Sequence, residues 1–253
     1  EYTLTLTDGE QSVTLQHLLI GEVWLCAGQS NMVMPLNGFD YCPISDSNNV
    51  IADAPNHPGI RMVTIKPTVK LSPQEYAEGS WQQPTTENAP KFSAAAYHYA
   101  LTLQRTLQIP IGVITCAWGG SRVEGWLPKE ILQTYKDEDL TLIGSDKTPV
   151  YLQSMLMYNG ILYPCHKYTI KGFIWYQGES NVRSSRTYAE RLATMVKHWR
   201  SIWKQGDLPF YYVETVPFAC EYKEDGYIGA LLREAQQKAL SLIPNSGMIG
   251  TND

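Results

Sequence analysis

The chain lacks the features that mark several large classes of protein. Its 20 Lys and Arg against 25 Asp and Glu give a formal net charge of −5, so it has no basic surplus for nucleic acid. No apolar run reaches the length of a membrane-spanning helix. The five cysteines form no Cys-x-x-Cys pair, and no His and Asp cluster has zinc-site spacing. We therefore expect no nucleic-acid partner, no membrane span, no metal and no cofactor.

What is present is the composition of a globular domain. The 253 residues are 43% hydrophobic and 18% charged, which is enough for one large domain with a substantial core. Helical patterns over 94–108, with Ser93 as N-cap, and over 188–203 and 228–242 alternate with apolar strand-like runs. This alternation predicts an α/β fold with a mostly parallel sheet. Loops are expected at 37–59 and at 66–91, the second with at most one strand, and residues 128–150 are expected to form an excursion over the sheet.

The first residues form a separate pattern. Residues 2–15 alternate between apolar and polar around a turn at Asp8 and Gly9, which predicts a β-hairpin. A lone hairpin is too small to be stable by itself. We therefore expect residues 1–20 to be the tail of a preceding β-sandwich. Residues 21–253 are expected to form the main domain, which continues beyond Asp253.

The most informative stretch is residues 26–32, CAGQSNM, which follows an apolar run predicted to be a buried strand. A turn of small residues directly after a strand can lift the Ser30 hydroxyl to the carboxyl edge of the sheet. Open α/β sheets bind their ligands at that edge. Gln29 and Asn31 place amide groups beside the hydroxyl. The alternative interpretation is a Ser/Asn helix cap.

Two further strands end in the same way. Residues 116–121, CAWGGS, follow a β-branched run, and the Gly119–Gly120 pair exposes backbone N–H groups as an oxyanion hole requires. Residues 173–181, FIWYQGESN, end a third apolar run in glycine, amide and carboxylate residues. A plain glycine turn would explain one such strand end. Three of them together predict a single site.

These segments resemble the sialate O-acetylesterase family. That family belongs to the SGNH hydrolases and is related to esterases that act on acetylated xylan. The resemblance extends from about Gly21 to the end of the chain. It implies a three-layer α/β/α, flavodoxin-like fold and a serine esterase that removes O-acetyl groups from a carbohydrate, with sialic acid as the expected substrate. It also implies a secreted or periplasmic location, although the chain itself shows no signal-peptide pattern.

The resemblance and the requirements of acyl transfer together assign roles. Ser30 is the expected nucleophile. The expected oxyanion donors are its own N–H, the N–H of Gly119 or Gly120, and a side-chain amide from Gln177 or Asn181.

Other residues have expected roles around this centre. Glu179 is expected to orient the base, and its alternative is a solvated loop carboxylate. Asn252, in a Gly-x-Asn-Asp segment, is the alternative oxyanion amide. Three residues are expected to contact the substrate, with core packing as the alternative for the last two: Gln29, Met32 and Trp126.

The base itself is missing from the expected pattern. In the family the catalytic histidine follows the last strand in an Asp-x-x-His-Pro type segment, and none of the five histidines here has that context. His57, in the loop near Ser30, is the one substitute worth keeping. Otherwise the base is expected beyond Asp253. The alternatives in function are an acetylxylan esterase, or a catalytically dead carbohydrate-binding homologue that lacks the histidine.

Overall fold

The computed structural model describes residues 1–217 and 227–251. The strands in this part of the chain are β1 (Tyr2–Thr7), β2 (Ser12–Leu18), β3 (Glu22–Gly28), β4 (Ile60–Thr64), β5 (Ile111–Ala117), β6 (Gly172–Tyr176), β7 (Phe210–Val213) and β8 (Ser246–Ile249). The α-helices are α1 (Ser30–Val33), α2 (Ser47–Asp53), α3 (Ala94–Leu107), α4 (Lys129–Leu132), α5 (Ser185–Trp203) and α6 (Ile228–Leu242).

Six of these strands form one parallel sheet in the order β4-β5-β3-β6-β7-β8. Side chains of the central strand β3 alternate between its two faces. Trp24 and Cys26 pack with α3 on one side, and Leu25 and Ala27 pack with α5 and α6 on the other. Since helices cover both faces, the predicted three-layer α/β/α fold is confirmed.

The helices agree with the sequence patterns. Helix α3 begins after Ser93, whose Oγ accepts the N–H of Ala96 at 3.3 Å, so the predicted N-cap is confirmed. Helix α5 begins at Ser185, three residues before the predicted start, and buries Trp199 and Trp203 against the sheet. Amphipathic periodicity therefore located the helices that pack on the sheet.

The stretch between residues 37 and 91 was less predictable. Residues 37–59 were expected to be loop, but Ser47–Asp53 forms the short helix α2. The strand β4 was not predicted at all, although it forms one edge of the large sheet beside β5. Its five residues, IRMVT, carry too short a pattern to distinguish from a loop before its partner strand is known.

The N-terminal hairpin was predicted correctly and stands apart from the large sheet. Strands β1 and β2 pair only with each other, and the cross-strand pair Leu4 and Leu15 remains exposed. Its membership of a larger β-sandwich stays a prediction. Within residues 1–217 and 227–251, no helix is both long enough and apolar enough to cross a membrane.

Candidate active site

The ends of the three central strands lie side by side. Gly28 at the end of β3 is in register with Ala117 of β5 and Tyr176 of β6. Gly28 has φ +148°, and a Cβ there would lie 2.1 Å from the carbonyl oxygen of Tyr176, so only glycine fits this close approach. Beyond the sheet, Gln29 N–H donates to Tyr176 at 3.0 Å and Trp118 N–H donates to Gly28 at 3.0 Å. The three predicted motifs therefore emerge at one edge of the sheet.

Ser30 is partly exposed at this edge, as the first residue of the four-residue helix α1. Among the residues that the structure describes, none accepts the backbone N–H of Ser30, Gly119 or Gly120. Ser180 Oγ donates to the carbonyl oxygen of Gly120 at 2.8 Å and so holds the glycine loop beside the third motif. The edge thus offers a partly exposed serine together with backbone donors that have no acceptor among the described residues, as an oxyanion hole requires.

Gln29 is 3% exposed and braces this arrangement. Its Oε1 accepts the N–H groups of Gly178 at 3.2 Å and Ser180 at 3.4 Å. The side chain therefore ties the Ser30 turn to the loop after β6. The expectation that Gln29 contacts substrate is corrected accordingly, because the side chain is buried between two loops.

Glu179 lies next to the Ser30 turn. Its Oε1 accepts a hydrogen bond from Asn31 Nδ2 at 2.8 Å, which links the first and third motifs directly. Its Oε2 is buried and has no hydrogen-bond partner among the described residues. Burial raises the pKa of the Glu179 carboxyl above its usual value, and hydrogen bonds from its own N–H and from Asn31 offset only part of this effect. A buried carboxylate oxygen without a partner is expensive, so Oε2 is suited to receive a donor.

The two expected oxyanion amides are fully engaged inside the protein. Gln177 is 0% exposed, and its Nε2 donates to Ser121 O at 3.0 Å and to Asn181 Oδ1 at 2.8 Å. Asn181 is equally buried; its Oδ1 also accepts Val123 N–H at 2.9 Å, and its Nδ2 donates to Glu124 Oε2 at 3.0 Å. This corrects the expectation of a free side-chain donor, because each amide nitrogen already has protein acceptors.

Sequence reasoning missed the charged cluster behind these amides. Glu124 is 0% exposed and binds Arg191 Nη1 at 2.6 Å, while Arg191 Nη2 binds Asp137 at 2.6 Å. A second pair, Arg122 with Glu138 at 2.6 Å, lies beside it. Glu124 and Arg191 are 67 residues apart. Two isolated charged residues at such a separation carry no local signal that they would form a pair.

Met32 and Trp126 are core residues. Both are 0% exposed. Met32 Sδ accepts a hydrogen bond from Ser93 under helix α3, and the Trp126 ring packs edge-on against Trp175 with ring centroids 5.6 Å apart. The expected substrate contacts are therefore corrected, since neither side chain has surface to offer. Trp126 Nε1 instead donates a hydrogen bond to Ser121 Oγ at 3.0 Å and so holds the residue that follows the Gly119–Gly120 pair.

None of the described histidines lies at this edge. His57 binds Asp53 at 2.8 Å and precedes β4, which places it at the amino edge of the parallel sheet, opposite Ser30. The substitute role expected for it is therefore wrong. The other four belong to other elements: His17 to β2, His98 to α3, His166 to the segment before β6, and His198 to α5, where its Nε2 lies 2.8 Å from the Tyr158 hydroxyl.

Asn252 lies outside the described residues, so its role as the oxyanion amide stays untested. Across 1–217 and 227–251, no group of three or more His, Cys, Asp or Glu side chains is arranged to hold a metal ion.

Comparison with known proteins agrees with this geometry. A carbohydrate esterase family model described as sialic acid-specific acetylesterase matches residues 20–253. The sialate O-acetylesterases of Homo sapiens and Pongo abelii are each 26% identical over 257 residues, covering 95% of this chain and 48% of theirs. The chain thus spans about half the length of these curated relatives.

Solved structures show the same fold. The crystal structure of a carbohydrate acetylesterase from Xanthomonas citri matches with a TM-score of 0.85 at 30% identity, covering 100% of this chain and 55% of that one. The crystal structure of NanS matches with a TM-score of 0.55 at 14% identity, covering 92% of this chain and 78% of that one, which shows the fold alone. Because the family model covers nearly the whole chain, the chain belongs to the sialic acid-specific acetylesterase family of carbohydrate esterases.

Proposed function

We propose that the protein is a serine esterase that removes O-acetyl groups from a carbohydrate, with O-acetylated sialic acid as the first substrate to test. The observation that carries this proposal is that Ser30 is partly exposed at the sheet edge where the N–H groups of Ser30, Gly119 and Gly120 have no acceptor among the described residues. A nucleophile and preorganised donors are the two parts that acyl transfer needs at the carbonyl group. Family membership and the carbohydrate esterases named above support the choice of an acetylated sugar.

The reaction proceeds in two steps. Ser30 Oγ attacks the acetyl carbonyl carbon, and the resulting oxyanion is held by the backbone N–H groups. The sugar hydroxyl then leaves with the proton that a base took from Ser30, and water hydrolyses the acetyl-enzyme. Gln177 and Asn181 contribute by holding Ser121 and Val123 in place, instead of by direct donation.

Glu179 is proposed to orient the base. Its Oε1 is held by Asn31, and its unpaired Oε2 is available to accept the ring N–H of a histidine that takes the Ser30 proton. The family resemblance expects that histidine after the last strand. The described residues before that point supply none at this edge, so Oε2 is the atom on which the base is proposed to dock.

The experiment measures acetate release from O-acetylated N-acetylneuraminic acid and from acetylated xylan in parallel. Ser30→Ala is expected to lower kcat by at least about 10³-fold, because no other group can form the acyl-enzyme. Ser201→Ala is the matched control, since Ser201 is an exposed serine on α5 whose hydroxyl donates to the carbonyl oxygen of His198. The activity of this variant should equal that of the wild type. Turnover that survives Ser30→Ala would overturn the proposal. The ratio of rates on the two substrates distinguishes a sialate esterase from an acetylxylan esterase.

A second candidate is a carbohydrate-binding homologue without catalysis. The observation that favours it is that no described histidine lies near Ser30. It predicts that the protein binds the acetylated sugar in calorimetry and releases no acetate. For either function, the glycan substrate is the reason to propose a secreted or periplasmic location.

A further inference from the structure

A tyrosine that the proposed reaction leaves unused flanks the oxyanion loop. Tyr151 lies in a short 3-10 turn, Val150–Leu152, and its side chain borders Gly120. A Cβ on Gly120 would lie 2.8 Å from Cδ2 and 3.1 Å from Cε2 of the Tyr151 ring. The ring therefore packs against Gly120 on the side where any other residue would carry its Cβ. The N–H of Gly120 is one of the proposed oxyanion donors. The residue also remains 41% exposed, so part of its surface is available to a ligand.

The turn that carries Tyr151 is held on both sides. Arg122 directly follows Ser121, and its Nε donates a hydrogen bond to the carbonyl oxygen of Leu152 at 3.0 Å. This bond links the turn to the chain segment after the glycine loop. Gln153 is 3% exposed, and its amide makes three hydrogen bonds to the preceding loop: Gly144 N–H at 2.6 Å, Thr148 O at 2.8 Å and Ser145 O at 2.9 Å. An exposed aromatic ring on a backbone fixed in this way loses little freedom when a ligand packs on it.

The small size of the acetyl group determines which part of the substrate contacts the Tyr151 ring. When the acetyl carbonyl oxygen occupies the oxyanion donors, the acyl side of the ester carries only a methyl group. The rest of the substrate, which is the sugar, must then lie on the alcohol side of the carbonyl and close to the rim of the loop. Aromatic rings beside a reaction centre supply apolar contact area, while a few polar groups fix orientation.

We propose that Tyr151 is a specificity-determining residue whose ring stacks on the apolar face of the sugar that bears the acetyl ester. This inference rests on the proposed esterase function. Binding energy from a part of the substrate remote from the reacting carbonyl positions the ester for attack by Ser30. Esters with a small alcohol group cannot reach the ring and gain nothing from it.

The test compares two esters that share the acetyl group. O-acetylated N-acetylneuraminic acid carries a sugar, and ethyl acetate carries an alcohol too small to touch Tyr151. Tyr151→Ala is expected to lower kcat/KM for the sugar ester by roughly tenfold, and to leave ethyl acetate within about twofold of the wild type. Tyr151→Phe keeps the ring and should retain most of the sugar-ester activity.

Tyr168→Ala is the matched control. Tyr168 is 46% exposed, similar to Tyr151, but it precedes β6 and therefore lies at the opposite edge of the sheet. Its substitution should not change the ratio of the two activities. Retained turnover of ethyl acetate also shows that a variant is folded with an intact site.

The outcomes separate this inference from the proposed function. If Tyr151→Ala lowers both activities by the same factor, or neither, the stacking role is wrong while the esterase function stands. If wild-type protein hydrolyses ethyl acetate through Ser30 but no sugar ester, the carbohydrate substrate is wrong and the role of Tyr151 falls with it.

Discussion

The buried pair of Glu124 and Arg191 allows a quantitative test of how the site is supported. The substitution is Glu124→Gln, which keeps the shape of the side chain and removes its charge. Glu124 is 0% exposed and Arg191 is 4% exposed, with 2.6 Å between Oε1 and Nη1. Removing one partner of a buried ion pair typically destabilises a protein by about 3–5 kcal/mol, because the other charge remains buried without compensation. Arg191 keeps its contact with Asp137, so we expect the lower end, about 3 kcal/mol.

The assay is equilibrium unfolding in urea at pH 7. With a denaturant slope of about 3 kcal/mol/M, the loss would lower the midpoint by about 1 M. The control is Glu75→Gln, which breaks a pair of nearly the same length, 2.5 Å to Lys167. There the two side chains are 54% and 68% exposed. Exposed pairs contribute about 0–1 kcal/mol, so its midpoint should hardly move.

A third protein separates charge from packing. Glu124→Gln combined with Arg191→Met removes both charges, and the glutamine oxygen can still accept the hydrogen bond from Asn181 Nδ2. Replacements that remove both charges of a buried pair are often neutral or stabilising. The double variant should therefore be more stable than Glu124→Gln alone. Two results would refute the reasoning: a loss for Glu124→Gln no larger than for Glu75→Gln, or a double variant that is less stable than the single one.

Two further predictions concern the edge of the sheet itself. Burial raises the pKa of Glu179, so its neutral form stabilises the fold below about pH 4.5 and this contribution is lost as pH rises through the raised pKa. The stability of Glu179→Gln relative to the wild type should therefore increase as pH rises from 4 to 7, while the variant loses activity, and an equal difference at both pH values would contradict this. Gly120 has φ +75° and contacts the Tyr151 ring, so Gly120→Ala should destabilise by about 1–2 kcal/mol in thermal unfolding. Gly119→Ala is its control, since a Cβ there meets nothing within 4 Å, and equal losses would show that the ring contact and the positive φ are unimportant.

The parts that sequence predicted are those with a local cause. A strand followed directly by small and polar residues is a local pattern, and it located all three loops at the carboxyl edge. The Ser93 cap is local in the same sense, because its capping hydrogen bond joins residues in the same helical turn, Ser93 and Ala96. The failures depend on tertiary structure. His57 was assigned to the wrong edge because β4 was not recognised, and in a parallel sheet a residue just before a strand lies at the amino edge.

The burial of Gln29, Met32 and Trp126 could not be predicted for a related reason. Their residue types are common both in binding sites and in cores, and the choice depends on which helix or loop covers them. For Trp126 the deciding neighbours are Trp175 and Trp199, which come from a later strand and helix. Proximity to a functional motif along the chain is therefore weak evidence that a side chain contacts the ligand.

The side-chain amides of Gln177 and Asn181 in the third motif hold backbone groups in place and leave no free donor for a ligand. A continuous set of hydrogen bonds extends from Arg191 through Glu124, Asn181 and Gln177 to the carbonyl oxygen of Ser121. A fully satisfied buried network of this kind is rigid, and rigidity is what allows backbone N–H groups to stabilise an oxyanion without reorganising during the reaction.

Within the described residues of the three loops, one buried side-chain atom has no hydrogen-bond partner, Oε2 of Glu179. It lies on the residue that Asn31 ties to the Ser30 turn. Leaving a buried carboxylate oxygen unpaired is unfavourable, so its presence in an otherwise satisfied network is best explained by a donor that binds there during the reaction. We propose that this donor is the base, whose docking on Glu179 would complete the site.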